Sequence, residues 1–162
     1  MPVHLKPWQQ VVVNLISEHA DIVGTEEFQS MAEFSRNSLS RISLDLPRAS
    51  GHTALTAWLS SQMKAMVIAT GIEHWENICK EMTKFGLDVN RETSKISWYE
   101  LDSAILRLRP DSNADITLES FKAKLMGKQV VVVDNASSVP GHVLDYIFRV
   151  TKPEDTAIVL LH

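Results

Sequence analysis

About a third of the way along the chain, a glycine, a histidine and a threonine stand in a row between an apolar alternation and a helical pattern, a spacing suited to holding phosphate. The stretch runs Arg41-Ile-Ser-Leu-Asp-Leu-Pro-Arg48-Ala-Ser-Gly51-His52-Thr53-Ala-Leu-Thr and reads as a strand, a tight loop and a helix start. In the pattern G-x-x-x-x-G-K-[ST], backbone N–H groups cradle phosphates at a helix N-terminus. There the Lys neutralises the terminal phosphates and the hydroxyl holds Mg²⁺. Gly51 and Thr53 fill the last Gly and the hydroxyl positions, His52 stands where Lys belongs, and Leu46 stands where the first Gly belongs. Arg48, Ala49, Ser50, Gly51, His52, Thr53 and Ala54 are therefore the expected phosphate-facing residues. Phosphate charge beside His52 favours the imidazolium, which predicts tighter nucleotide binding near about pH 6 than near about pH 8.

A second constellation is Gly127-Lys-Gln-Val-Val-Val-Val-Asp134-Asn135-Ala136-Ser137. Four apolar residues followed by an acid place a carboxylate at a strand tip, where Asp134 together with Thr53 can hold Mg²⁺ beside phosphates. Asn135 follows, an amide that can hydrogen-bond a water but cannot take its proton, which predicts slow hydrolysis or none. The third element is Leu5-Lys-Pro-Trp8-Gln9. An aromatic followed by Gln can stack on adenine and read its edge, and Trp8 equally reads as a core residue of the first helix.

The elements that must position these residues alternate in type. Residues 8 to 18 predict a helix with Trp8, Val12, Leu15 and Ile16 on one side, and residues 26 to 39 a second with Phe28, Met31, Phe34 and Leu39 inward. Ile42 to Leu46 predicts a strand. Thr53 to Lys64 predicts a helix burying Leu55, Trp58, Leu59 and Met63, and Met66 to Ala69 a short buried strand. Glu73 to Phe85 carries Trp75, Ile78, Cys79, Met82 and Phe85 at helical spacing and closes at Gly86, with His74 expected on its exposed side. Between Lys95 and Leu108 a strand begins, and its continuation as a hairpin or as a helix is open. Leu118 to Met126 predicts a helix, Gln129 to Asp134 a strand, Val139 to Val150 a helix and Thr156 to Leu161 a last strand. Ser137 and Ser138 are expected to cap the helix after them, with Pro140 near its first turn.

Strands separated by helices imply a three-layer α/β domain: a mostly parallel sheet with helices on both faces. Ligands of such sheets bind at the carboxyl ends of the strands, so the loops after Leu46 and Asp134 should share one crevice. The expected organisation is a single domain over residues 1–162, with N-terminal helices and the adenine segment in 1–40 and the α/β core in 41–162.

The chain has 162 residues, 44% of them hydrophobic and 22% charged, with a formal charge of −4, which argues against a basic surface wrapped on a duplex. The lone Cys79 excludes an internal disulfide and a Cys-based zinc site, and the spacing of the histidines predicts no metal set. Ser137 and Ser138 show no triad partners in the sequence. Neither a signal-peptide core nor a run of roughly 18 apolar residues occurs, so the expected location is the cytoplasm.

Leu5 to Gln9, then Pro47 to Thr53, then Val67-Ile-Ala-Thr70 before an amphipathic helix, then Gly127 to Ala136 together resemble the ATPase domain of phage terminase large subunits. Superfamily-two helicases share that layout. The loop of this family often reads x-R-x-x-G-K-[ST], which Arg48 matches. The resemblance implies a phosphate-loop NTPase fold with ATP and Mg²⁺ as ligands. It places Arg48, Gly51 and Thr53 at the phosphates, Asp134 on Mg²⁺, and Trp8 and Gln9 near adenine. His52 and Asn135 depart from the family's Lys and catalytic acid. The chain also stops at His162, where the family continues into a coupling motif, further strands and a nuclease domain, so the fold is expected to be truncated after the Walker B region.

The expected function is nucleotide binding with weak or absent hydrolysis, in a phage protein of DNA packaging, replication or repair acting in the host cytoplasm. In catalysis Arg48 and His52 would stabilise γ-phosphoryl charge and Asn135 would position water. The alternative is a pseudo-ATPase that binds or inhibits a protein partner. A nucleic-acid accessory role would need Lys122, Lys124, Lys128 and Arg149 gathered on one face. Motors of this class form homo-oligomeric rings in which a neighbour donates an arginine, and Arg107, Arg109 and Arg149 are equal candidates for it.

Overall fold

The structure, a computed structural model, describes residues 5–46, 52–63, 65–84, 86, 94–107, 114–151 and 156–162. Five strands form its centre: β1 (Arg41–Leu44), β2 (Ala65–Ala69), β3 (Ser94–Ser97), β4 (Val130–Asp134) and β5 (Ala157–Leu161). They lie in the order β1-β5-β4-β2-β3, and every pairing is parallel. Parallel neighbours need a crossover, and helices supply it. Three helices precede the first strand, α1 (Pro7–Val23), α2 (Glu26–Gln29) and α3 (Glu33–Leu39), and the crossovers are α4 (His52–Gln62), α5 (Ile72–Lys84), α6 (Trp98–Leu106), α7 (Ala114–Leu125) and α8 (Gly141–Val150).

Residue alternation along each strand sorts the core into two layers. Val130 and Val132 of β4 join Ala157, Val159 and Leu161 of β5 on one face, where Ile16, Ala20 and Val23 of α1, Phe28 of α2, and Leu55 and Leu59 of α4 cover them. Val67 continues that face toward α5, packing with Ala57, Ile78 and Met82. Val131, Val133, Met66, Ile68, Ile96 and Ile158 point the other way and meet Trp98 and Leu101 of α6, Phe121 and Leu125 of α7, and Val143 and Ile147 of α8. All five residues of β2 and of β4 are buried, which explains why both read as unbroken apolar runs. Three-layer α/β architecture is thus present, with a sheet that is wholly parallel.

Several expectations are corrected by packing. Residues 26–39 are two helices, because the backbone turns extended at Ala32 (φ −58°, ψ 144°). No single helical phase spans the segment. Phe28 is buried, whereas Met31, Phe34 and Leu39 face solvent, Phe34 with 82% of its surface exposed. On α1 the buried stripe is Gln9, Ile16, Ala20 and Val23, leaving Leu15 half exposed. After β3 the chain becomes a helix and not a hairpin: Ser97 caps α6, its hydroxyl accepting from the Tyr99 N–H at 3.2 Å. Ser137 and Ser138 do not cap α8. They lie in a 3₁₀ turn over Ala136–Ser138, and Pro140 is the residue that precedes the helix, with no side-chain cap. Gly86 closes α5 at φ +72°, as its position predicts. Phe85 and Leu108 lie outside the described residues.

Candidate functional site

Because every strand is parallel, the loops that follow them all emerge on one edge of the sheet. The chain leaves β4 toward β5 and leaves β2 toward β3, in opposite directions, so a crevice opens between the tips of β4 and β2. It is a cavity of about 550 Å³ lined by Thr53 at the start of α4, Thr70 and Gly71 after β2, Glu73, His74 and Asn77 of α5, Tyr99 of α6, and Asp134 and Asn135. Thr53, Asp134 and Asn135, singled out from distant parts of the sequence, thus share one cavity.

Asp134 is the most constrained group there. Its side chain is 2% exposed and accepts a hydrogen bond at Oδ2 from His74 Nε2, 3.0 Å away. The Thr70 backbone N–H donates to His74 Nδ1 at 3.0 Å, so Nδ1 is the acceptor and the proton sits on Nε2. That tautomer aims a donor at the carboxylate and leaves Oδ1 without a partner among the described residues. His74 is therefore not on the outer side of α5, as its position in the sequence predicts. It opens the helix next to the β2 tip and turns inward, its side chain 18% exposed.

Asn135 takes a left-handed backbone conformation, φ 56° and ψ 46°, which turns the chain from β4 into the 3₁₀ turn. Asn is among the few side chains that accept this region at low cost. Ser137 is hydrogen-bonded to His162 Nδ1 at 3.0 Å, a partner that no sequence spacing indicated. A second acid–imidazole pair, Asp102 with His142, ties α6 to α8 on the opposite face of the sheet.

Pro47, Arg48, Ala49, Ser50 and Gly51 lie outside the described residues. His52 opens α4, and Ala54 follows Thr53 in its first turn. Trp8 and Gln9 sit in the first turn of α1 and do not line the crevice. Gln9 is 4% exposed, and its Oε1 accepts from the Lys6 backbone N–H at 2.9 Å, closing the start of its own helix. Arg107 ends α6 and pairs with Asp115 at 2.9 Å, while Arg109 lies outside the described residues.

A Mg²⁺ ion carried with a nucleotide fits the donor set. Mg²⁺ keeps several waters and is held by one or two carboxylates together with substrate phosphates, not by an all-protein cage. One buried carboxylate that keeps an oxygen unpaired among the described residues, and a threonine in the same cavity, match that demand. Among the described residues no group of three or more His, Cys, Asp or Glu side chains is placed to hold a metal by itself. Burial pushes the Cys79 thiol above its ordinary value, with Lys95 opposing and Glu76 adding to it, and burial likewise raises the Tyr146 phenol. Neither group reaches the crevice. Among the described residues no helix is long and apolar enough to cross a membrane. Family models, curated proteins and solved structures give no match to this chain.

Proposed function

We propose that the chain is a nucleotide-binding domain of the phosphate-loop type, taking ATP with Mg²⁺ in the crevice and hydrolysing it slowly or not at all. The observation that carries this reading is the convergence of Thr53, Asp134 and Asn135 on one cavity at the carboxyl ends of a parallel sheet. The cavity volume lies within the roughly 300–1,000 Å³ usual for small-molecule sites. Thr53 and Asp134 hold the cation, which screens phosphate charge when bound. The loop from Arg48 to Ala54 supplies the phosphate contacts. Slow turnover follows from the groups nearest the cation site. Asn135 can orient a water but offers no base, and both ring nitrogens of His74 are already engaged.

Calorimetric titration with ATP and Mg²⁺ tests the reading, beside Gly51→Trp in the loop and Asp134→Asn on the cation. Micromolar binding weakened by both substitutions is the expected result. Absence of binding at millimolar ATP would overturn it.

A second reading, a pseudo-ATPase that binds a protein, draws on the N-terminal helices. Val11, Leu15 and Ile22 repeat along the outer side of α1 and are 66%, 46% and 57% exposed. Leu39 lies beside them, its carbonyl 2.6 Å from His19 Nε2 of α1, and is 53% exposed. Apolar surface of this kind marks contact sites more often than scattered single residues do. An adaptor of that sort needs no nucleotide, so the same titration separates the two readings.

A further inference from the structure

We propose that the ring of the bound nucleotide stacks on Tyr99, on the β3 side of the crevice, and not beside Trp8 and Gln9. This rests on the nucleotide reading above and names the subsite that would recognise the base.

Tyr99 is 54% exposed, yet it is held in place. Its ring stacks on Trp98, centroids 3.9 Å apart and planes 28° from parallel, and Trp98 is 8% exposed within the core. One face of the tyrosine is thus covered by Trp98, and Tyr99 is among the residues that line the crevice. Its backbone is fixed as well. The Tyr99 N–H donates to Ser97 Oγ, whose own hydroxyl donates to the Thr70 carbonyl at 2.8 Å. Thr70 is the residue whose N–H orients His74 toward Asp134, so the aromatic wall and the carboxylate are braced by the same turn.

A planar heterocycle placed on the open face of Tyr99 would extend the Trp98–Tyr99 stack, an arrangement every base accepts because every base has a π-face. Polar groups stand around that position. Asn77 and Glu73 line the same cavity with an amide and a carboxylate. The tip of β3 lies two strands from that of β4, roughly 10 Å at ordinary sheet spacing, a span that an extended nucleoside triphosphate covers. Gln9, in contrast, has already spent its carbonyl oxygen on the Lys6 N–H and is buried in α1.

The full chain titrated with Mg²⁺–ATP and, separately, with Mg²⁺–tripolyphosphate separates ring contacts from phosphate contacts. Tyr99→Ala should weaken ATP about 5- to 150-fold, the range for one aromatic–base stack, and leave tripolyphosphate within about 2-fold. Tyr99→Phe should restore ATP binding, since the ring and not the hydroxyl does the stacking, and thermal melting of each variant checks that it is folded. ATP affinity unchanged in Tyr99→Ala, or lost in Trp8→Ala instead, overturns the inference while the nucleotide reading stands. Tight binding of a single-stranded oligonucleotide that Tyr99→Ala abolishes, with ATP unaffected, also overturns it. Failure of the wild-type chain to bind either phosphate probe removes the nucleotide reading and this subsite together.

Discussion

At the scale of single residues, the contact that decides most is the hydrogen bond from His74 to Asp134. A carboxylate 2% exposed keeps its charge cheaply only while donors surround it, and His74 Nε2 is the donor the structure gives it. His74→Ala removes that donor and leaves the acid buried beside a small cavity. The expected loss is about 1.5–3 kcal/mol of folding free energy, the range for a hydrogen bond to a charged group. Replacing the acid as well removes the charge that needs the donor. The double variant His74→Ala/Asp134→Asn should therefore lose less than the sum of the single changes, read by chemical denaturation in a double-mutant cycle. Strict additivity would show that the pair is not coupled. Asp134 was legible in the sequence because four valines before it announce a strand tip. His74 was not, since its partner lies far along the chain and only the adjacency of β2 and β4 brings the two tips together. Helical phase alone points its side chain outward.

At the scale of elements, the junction from β4 into the 3₁₀ turn depends on a left-handed backbone position. Asn135 holds φ 56° there, a region costing most side chains about 1–2 kcal/mol. Asn135→Gly should leave stability within about 1 kcal/mol, because glycine enters this region freely at some entropic cost. Asn135→Glu should lose about 1 kcal/mol and raise ATP turnover by supplying the missing acid. Retained ATP binding with no rise in turnover would remove Asn135 from the water-positioning role.

Elements with a strong period were readable in advance. The stripe Trp75, Ile78, Cys79, Met82 and Phe85 pointed to α5, and the run Met66–Ala69, too short for a helix, to the strand that spans Ala65–Ala69. Two places were not readable, for physical reasons. The break between α2 and α3 has no proline or glycine to mark it, and it rests on local bonds such as Ser30 Oγ to the Glu27 carbonyl at 2.7 Å. The start of α6 reuses strand-forming Trp98 and Tyr99 in a helix because Ser97 caps it and Trp98 finds the core. The same override put the aromatic wall of the crevice where the sequence showed only ambiguity.

At the scale of the molecule, parallel topology both builds the crevice and grades the stability around it. Thr53, Thr70, Tyr99 and Asp134 come from four separate segments and meet because each follows or ends a strand pointing the same way. The sheet beneath them is not uniform. β4 is paired on both sides, by β5 and β2, with helices over both faces, and Val130 to Val133 are fully buried. Each of these valines contributes about 1.5–3 kcal/mol through burial. β1 pairs with β5 alone and β3 with β2 alone among the described strands, and the residues of β1 are half buried at best. Local opening should therefore begin at the two outer strands and reach β4 only on global unfolding. In native-state hydrogen exchange the amides of Val131, Val132 and Val133 should be the slowest in the chain, with a protection free energy equal to that of denaturant unfolding. Those of Ile42 and Ile96 should exchange through openings that need less free energy. Ligand bound across the tips of β4, β2 and β3, with its phosphates held by the residues that follow β1, would hold both outer strands closed, so Mg²⁺–ATP should slow exchange at Ile96 and at Ile42. Slowing of Ile42 alone would take the β3 side of the crevice out of the ligand's seat, and slowing of neither would move that seat away from the crevice.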